Sequence, residues 1–261
     1  MSNKLLPVFV LLCSFVTLTF GQNQLQKVKT APAPIGITDE SKIDQFMAFV
    51  PNIGNSRGML TTQSVKPYMM PVRRIGQRGT LISYALATCL ELYVNNEKNY
   101  KVNLSPDYIA LSLQSLGQQV SLEEAFRFLV EYGTVNAAIV PYEATQISST
   151  VYATPNYTIL NYLHLFRPVT TGRQKVFEVR KALTRGNPVL VELKVDAAFK
   201  NLSDVDTWSP TAGTNNSPYL YPLVIVGFDE DREAFEIGSA WGSQWANDGY
   251  VWVKYGDFEK Y

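Results

Sequence analysis

The spacing of apolar residues changes near the middle of the chain, from a helical period to a strand period. In residues 82–94 apolar positions follow the helical period, which predicts a largely buried helix that begins close to Ser83. Residues 105–107 read Ser-Pro-Asp, a helix start with a cap and a proline in the first turn, and Gly117 offers its end. A capping box opens a third helix over residues 121–133. The first half is therefore predicted to be helical.

Strand signals dominate the second half. A short helix over residues 175–185 precedes them, and apolar segments rich in β-branched residues then alternate with turn residues. The predicted strands cover residues 188–195, 221–228, 233–237 and 250–255. A helical part followed by a strand-rich part predicts an α+β fold with two lobes, and a cleft between lobes is the usual place for a ligand.

The N-terminus carries the pattern of an export signal. Lys4 precedes a mainly apolar run over residues 5–20, and Gly21 offers a cleavage site, which predicts a signal peptide over residues 1–21. The alternative is a transmembrane anchor, but the run is shorter than the roughly 20 residues needed to cross a bilayer. Residues 22–66 are rich in Pro, Thr, Gln and Ser and are predicted to form a linker or strap.

Composition narrows the possible functions. Of the 261 residues, 23 are Lys or Arg and 23 are Asp or Glu, so the net charge is zero, which argues against a nucleic-acid partner. After loss of the leader, which contains Cys13, Cys89 is the single cysteine and no internal disulfide is possible. No His, Cys, Asp and Glu cluster has ligand spacing, so no metal or cofactor is predicted. We expect a periplasmic, outer-membrane-associated or extracellular protein, and the lack of disulfides favours a bacterial envelope.

Residues 77–86 carry the first part of a family resemblance. They read Gln-Arg-Gly-Thr-Leu-Ile-Ser-Tyr-Ala-Leu, which resembles the papain family of cysteine peptidases. Members of that family have an oxyanion-hole Gln followed by Cys-Gly-Ser-Cys-Trp-Ala-Phe, with the nucleophilic Cys six residues after the Gln. By this resemblance Gln77 stands at the oxyanion position, Ser83 at the nucleophile and Tyr84 at the Trp.

Two later stretches complete the resemblance. Residues 221–228 resemble the family's His-Ala-Val-x-x-Val-Gly-Tyr strand, with Tyr221 at the His position. Residues 238–250 resemble its Asn-Ser-Trp-Gly-x-x-Trp motif, with Ser239 at the Asn position and with both tryptophans, Trp241 and Trp245, present. Tyr221 and Ser239 follow the Ser83 position by 138 and 156 residues, close to the roughly 130–150 expected for this family.

The resemblance implies a papain-like two-lobe domain over residues 67–261. The helical lobe is expected over about residues 76–140 and a lobe with a β-sheet or barrel-like core over about residues 141–261. In this fold we expect Tyr84, Trp241 and Trp245 to pack beside the cleft, and Gln77 to bridge two loops that shape it.

The residues at the three reactive positions change the predicted chemistry. The family's reaction needs a thiolate, an imidazole that moves the proton and an Asn that orients the imidazole. A serine hydroxyl needs an adjacent base, and the phenol of Tyr221 titrates near about 10. The sequence therefore predicts no catalytic residues, with Ser83, Tyr221 and Ser239 as degenerate positions. The favoured hypothesis is an exported protein-binding or scaffold subunit, for example of an envelope complex, that holds a polypeptide in the cleft or on the surface around it.

Two alternatives stay open at this point. The first is an active hydrolase with Ser83 as nucleophile and an unrecognised base, for which His164, the single histidine of the chain, is the candidate. A histidine flanked by leucines is more often a packed or edge residue, and Cys89, on a different helix face from Ser83, is expected to be a buried small hydrophobe. The second alternative concerns the occupant of the cleft, which the N-terminal strap over residues 22–66 could fill in place of a substrate.

Overall fold

The computed structural model describes residues 36–55, 58–115 and 120–261, so the predicted signal peptide and Gly117 lie outside the described residues. Its helices are α1 (Glu40–Phe46), α2 (Leu81–Lys98), α3 (Pro106–Gln114), α4 (Leu122–Glu131), α5 (Gly172–Thr184) and α6 (Tyr255–Lys260). Its strands are β1 (Thr62–Ser64), β2 (Val189–Val195), β3 (Thr207–Trp208), β4 (Tyr219–Asp229), β5 (Ala234–Gly238) and β6 (Tyr250–Lys254). Within these residues no helix is both long and apolar enough to cross a bilayer. The predicted α+β composition is confirmed.

The strands form a six-stranded sheet built around β4. Along one side β4 pairs antiparallel with β2 and then with β1, and along the other side its second half pairs with β5. β6 continues the sheet beside β5, and β3 lies parallel to β6. The first half of β4, where Tyr221 faces Leu193 across the ladder, therefore extends beyond β5. Tyr221 in this extension lies on the face of β4 that packs, with Trp241, against the core of the β lobe.

Caps set the beginnings of the three helices of the helical lobe. Thr80 and Ser83 form a capping box at α2, Ser105 accepts from the Tyr108 N–H at α3, and Ser121 and Glu124 form a second box at α4. The apolar stripes of these helices pack into one cluster, whose most buried members are Leu86, Ala87, Val94, Leu104, Ile109, Ala125 and Leu129. The predicted helix starts at Ser105 and Ser121 are confirmed.

Residues 134–157 belong to the helical lobe. The backbones of Thr134 and Tyr157 exchange two hydrogen bonds of 2.8 and 2.7 Å, and Tyr157 packs into the cluster of α2, α3 and α4. Val151 is buried with Val135 and Val140. The chain thus keeps its contacts with the helices beyond the predicted lobe boundary near residue 141, as far as Tyr162, which stacks on Phe126 of α4.

The N-terminal strap packs along α5. Ile43 and Met47 are buried in the core of the β lobe, and Val50 and Ile53 enter the apolar layer between α2 and β4. The Asp44 carboxylate lies 2.8 Å from Lys181 on α5. The described part of the strap thus packs against the fold's cores and α5, and the hypothesis that the strap fills the cleft is wrong for these residues.

Candidate functional site

Ser83 lies in the first turn of α2 and serves as part of its cap. Its hydroxyl donates to the Thr80 carbonyl at 2.9 Å and accepts from the Thr80 N–H at 3.2 Å. In return the Thr80 hydroxyl oxygen accepts from the Ser83 N–H at 3.1 Å. Ser83 is fully buried. The hydroxyl proton that a base would have to remove is therefore already donated to a main-chain oxygen.

Tyr221, at the position of the family's histidine, contributes an aromatic ring to the site. This ring makes a T-shaped contact with Trp241, with ring centroids 5.2 Å apart, and it stacks near Tyr219 at 6.1 Å. Burial, and to a lesser extent Tyr219, raises the pKa of the Tyr221 phenol. A neutral phenol of this kind does not accept the proton of a serine at neutral pH.

Ser239 follows β5, next to Trp241. Its N–H donates to the Gly249 carbonyl at 3.3 Å. Its hydroxyl oxygen is buried and has no hydrogen-bond partner in the part of the chain that the structure describes. In this position Ser239 orients no other side chain, whereas the resemblance implies that the family's Asn orients the histidine ring.

A small cavity lies between α2 and β4, and Ser239 lines it, whereas Ser83 and Tyr221 do not. Its volume of about 40 Å³ has room for a few water molecules but not for a substrate side chain. Its lining comes from α2, from β4 and from the loops before α2 and after β5, and includes Arg73, Leu81, Tyr84, Pro222, Val224 and Ser239. The layer below the site is thus nearly filled by the chain's own side chains.

Gln77 sits in an exposed turn. The turn closes through a 3.2 Å hydrogen bond from the Gly79 N–H to the Gly76 carbonyl. Over residues 36–55, 58–115 and 120–261 the Gln77 side chain makes no hydrogen bond. The structure therefore gives its amide no bridging role; besides its own backbone bond, the turn is held by the Gln114 side chain, which donates to the Arg78 carbonyl at 2.8 Å.

The two tryptophans pack as predicted. Trp245 is buried, donates its indole N–H to the Phe199 carbonyl at 2.8 Å, and lies against Trp241 with ring centroids 5.1 Å apart. Trp241 stays partly exposed and joins Trp245 to Tyr221. Tyr84 is likewise buried. The two tryptophan rings line the β-lobe side of the site, and Tyr84 lies near the start of α2.

His164 lies beside the strap. Its backbone N–H donates to the Ile37 carbonyl at 2.9 Å, and the centroid of its ring lies 5.2 Å from that of the Tyr162 ring. Because the Ser83 hydroxyl is bonded to Thr80 instead, the structure does not bring these two residues together as a base and a nucleophile. The interpretation of His164 as a packed or edge residue is confirmed.

Cys89 lies on a face of α2 that packs against apolar residues of the strap and β4. The side chain is partly exposed rather than buried as predicted. Burial of its sulfur nevertheless raises the pKa of the thiol to about 12. A thiol with such a pKa is protonated at neutral pH, so Cys89 is not a displaced nucleophile.

An ion pair that sequence reasoning missed lies next to the cavity. Glu91 on α2 is fully buried, both of its oxygens accept from Arg73, and one also accepts from the Leu104 N–H at 2.6 Å. Burial raises the pKa of Glu91 to about 7, although Arg73 and the Leu104 N–H act in the opposite direction. The available signal was Glu91 itself, the one acid in the mainly apolar stretch over residues 81–94.

A second polar group holds the loop before α2. The Tyr84 hydroxyl donates to Asp107 at 3.2 Å and accepts from the Gly76 N–H at 3.2 Å, and Asp107 also accepts from the Glu143 N–H at 3.0 Å. Burial raises the pKa of Tyr84 to about 12. These bonds, with the Arg73 and Glu91 pair, fix the loop over residues 73–76 to α2 and α3.

Stability is expected to fall as pH rises, because of Glu91. Its pKa is about 7 in the folded protein and 4.5 as an ordinary carboxyl, so the folded state binds more protons between these values. The free energy of unfolding should therefore drop by about 2 kcal/mol between pH 5 and pH 8 through this group. Urea unfolding at both pH values, compared with Glu91→Gln, measures the effect. An equal pH dependence in the variant would contradict it.

Ser83→Ala is expected to lower the free energy of unfolding by about 1 kcal/mol, because it removes half of a capping box. Chemical denaturation followed by circular dichroism measures this loss. The matched control is Ser243→Ala, since Ser243 is exposed and makes no hydrogen bond within the described residues. A Ser83→Ala variant as stable as the control would argue against the capping role.

The comparisons with known proteins decide the family. A family model described as papain family cysteine protease matches residues 63–260, which include Ser83, Tyr221 and Ser239. The chain belongs to the papain family of cysteine proteases. The predicted resemblance is thus confirmed, and the family match begins within β1, at the strap's end.

Solved structures of papain-family proteases share the fold. Xylellain, a cysteine protease from Xylella fastidiosa, has a TM-score of 0.62 at 17% identity, over 87% of this chain and 93% of that one. Procathepsin L 3 from the larval midgut of Tenebrio molitor has a TM-score of 0.61 at 17% identity, over 80% of this chain and 72% of that one. The predicted papain-like two-lobe fold is confirmed by these likenesses.

A curated relative is also similar in sequence. It is the gamete and mating-type specific protein A of Dictyostelium discoideum, 24% identical over 193 residues. The matched region covers 70% of this chain and 40% of that protein. The chain therefore matches less than half the length of this relative.

Proposed function

We propose that this papain-family member is exported and non-catalytic, and that it holds a polypeptide partner in the former substrate cleft or on the surface around it. By the former cleft we mean the face between the start of α2 and the loop that carries Ser239. The observation that carries the proposal is the Ser83 hydroxyl, which is buried and donates its proton to the Thr80 carbonyl. A group bonded in this way is a cap and not a nucleophile.

The other two positions support the same proposal. Tyr221 packs against Trp241 and has a raised phenol pKa, so it does not act as a general base at neutral pH. The Ser239 hydroxyl is buried and contacts no polar partner among the described residues. The surrounding packing is nevertheless intact, with Trp245 bonded to Phe199. A retained shape without a reactive pair favours binding over hydrolysis.

Labelling with a fluorophosphonate separates this proposal from a hydrolase that uses Ser83. We expect no adduct at Ser83 in the folded protein, because the hydroxyl is buried and has no base. A known serine hydrolase in the same reaction shows that the probe is active. An adduct that mass spectrometry maps to Ser83, and that Ser83→Ala abolishes, would establish the hydrolase instead.

The combined variant Ser83→Cys, Tyr221→His and Ser239→Asn is expected to show little or no turnover of a fluorogenic peptide. The physical reason is that position 83 is fully buried and the ring at position 221 packs against Trp241, so a cysteine at position 83 would be shielded from a substrate carbonyl. Circular dichroism confirms that the variant is folded. Efficient turnover would mean that only the reactive groups had been lost.

The partner is sought by gentle affinity purification of the tagged protein from its native source. We expect a polypeptide that co-purifies in a fixed ratio with the folded chain. The untagged strain is the control for background binding. Recovery of no partner would count against the binding role, while a negative labelling experiment would still stand against hydrolysis.

A further inference from the structure

An aromatic strip runs along the β-lobe side of the former cleft. We define it as Tyr219, Tyr221 and Trp241. The rings of Tyr219 and Tyr221 are nearly parallel, with 26° between their planes, and Trp241 meets Tyr221 edge-on. Tyr219 is 41% exposed. At Tyr219 the strip therefore ends in an apolar surface that none of the described residues covers.

An exposed arginine, Arg74, lies beside the Trp241 end of the strip. The backbone of Arg74 pairs with Trp241, and the Arg74 side chain runs along Gly242, where an added methyl group would lie 3.4 Å from the Arg74 Cβ atom. Arg78 lies four residues further on, in the exposed turn that also carries Gln77. Both arginines are exposed, and within the described ranges neither is paired with a carboxylate. Glu143, beside Gly76, is an acid near this rim.

The spacing of the strip matches an extended polypeptide. The ring centroids of Tyr219 and Tyr221 lie 6.1 Å apart, and alternate side chains of an extended chain are separated by roughly 6.6 Å. An extended peptide can thus place every second side chain against successive rings. Carboxylates on such a peptide would meet the unpaired guanidinium groups at the rim, which are suited to bind carboxylates.

We propose that the strip binds an acidic, extended polypeptide segment, with apolar side chains against Tyr219 and Tyr221 and with carboxylates on Arg74 and Arg78. This inference rests on the proposed function and specifies its partner. Charge complementarity at a rim acts mainly on association rate and salt dependence. Binding should therefore weaken as salt is raised, while the aromatic contacts remain.

The test uses three fluorescein-labelled octapeptides that alternate tyrosine with glutamate, glutamine or lysine. Fluorescence anisotropy with the full folded chain at low salt should show the tightest binding for the glutamate peptide. Arg74→Gln with Arg78→Gln should weaken that peptide by about tenfold, toward the glutamine peptide. Tyr219→Ser should weaken all three peptides. The control is Arg173→Gln, which removes an exposed arginine on α5, and it should change nothing.

The outcomes distinguish a failure of the acidic preference from a failure of the proposed polypeptide-binding function. Equal affinity for the three peptides, still lost in Tyr219→Ser, overturns the acidic preference and leaves polypeptide binding standing. Absence of peptide binding, with binding of dextran that Tyr219→Ser removes, overturns both in favour of a polysaccharide site. Cleavage of the peptides, read by mass spectrometry, overturns the non-catalytic proposal. Thermal unfolding of each variant confirms that a lost signal comes from the surface and not from misfolding.

Discussion

Arg73→Met is expected to lower the free energy of unfolding by about 3–5 kcal/mol at pH 8. The substitution leaves Glu91 fully buried without its cationic partner. In the unaltered protein that carboxyl is charged at pH 8, above its pKa of about 7, and Arg73 lowers this pKa. Without Arg73 the carboxyl must either stay charged and unpaired or take up a proton, and both cost stability. At pH 5 it is neutral, so the loss should be clearly smaller there. Urea denaturation at the two pH values measures both.

Two further variants test whether the loss of stability comes from the buried pair of Arg73 and Glu91. Arg73→Met combined with Glu91→Met removes both charges, and it should recover at least half of the lost stability. Arg127→Met breaks an exposed pair with Glu123 on α4, and it should cost no more than about 0.5 kcal/mol. A loss for Arg73→Met as small as for Arg127→Met would show that the buried pair does not stabilise the fold.

Ile43→Ala is expected to lower the free energy of unfolding by about 2–4 kcal/mol. Ile43 is 2% exposed and packs in the core of the β lobe, although it lies in the strap and outside the family match. Denaturant unfolding followed by tryptophan fluorescence measures the loss.

The control for this variant is Phe49→Ala, in the same strap. Phe49 is 46% exposed, so its removal should change stability by within about 0.5 kcal/mol. If the two variants had equal small effects, the strap would be a loosely attached linker. If both lowered stability strongly, burial in the structure would not explain the role of Ile43.

Local signals explain why most elements could be predicted. The caps at Ser105 and Ser121 are formed by short-range bonds, so the residues that form them stand next to the helix they start. The strands β2, β4 and β5 are apolar and bounded by turn residues. In contrast, α6 begins at Tyr255, where the pattern predicted the end of a strand, because its packing on α5 sets its conformation.

Long-range features of the site could not be predicted in the same way. The resemblance located the positions of Ser83, Tyr221 and Ser239. It did not predict that the Ser83 hydroxyl donates to the Thr80 carbonyl. The pair of Arg73 with Glu91 joins residues 18 positions apart through burial, which no local period encodes. The contacts of residues 134–157 with the helices were missed for a related reason, since the Thr134 and Tyr157 pairing leaves no periodic pattern in the sequence.

The position of Val50 and Ile53 has a consequence for how the molecule comes apart. These strap residues share one apolar layer with Ala85 and Leu92 of α2 and with Val224 of β4. Separating the lobes would expose all three chain segments to water at once. Heating or denaturant should therefore melt the N-terminal segment, the helices and the sheet in a single cooperative step, with no lobe surviving alone.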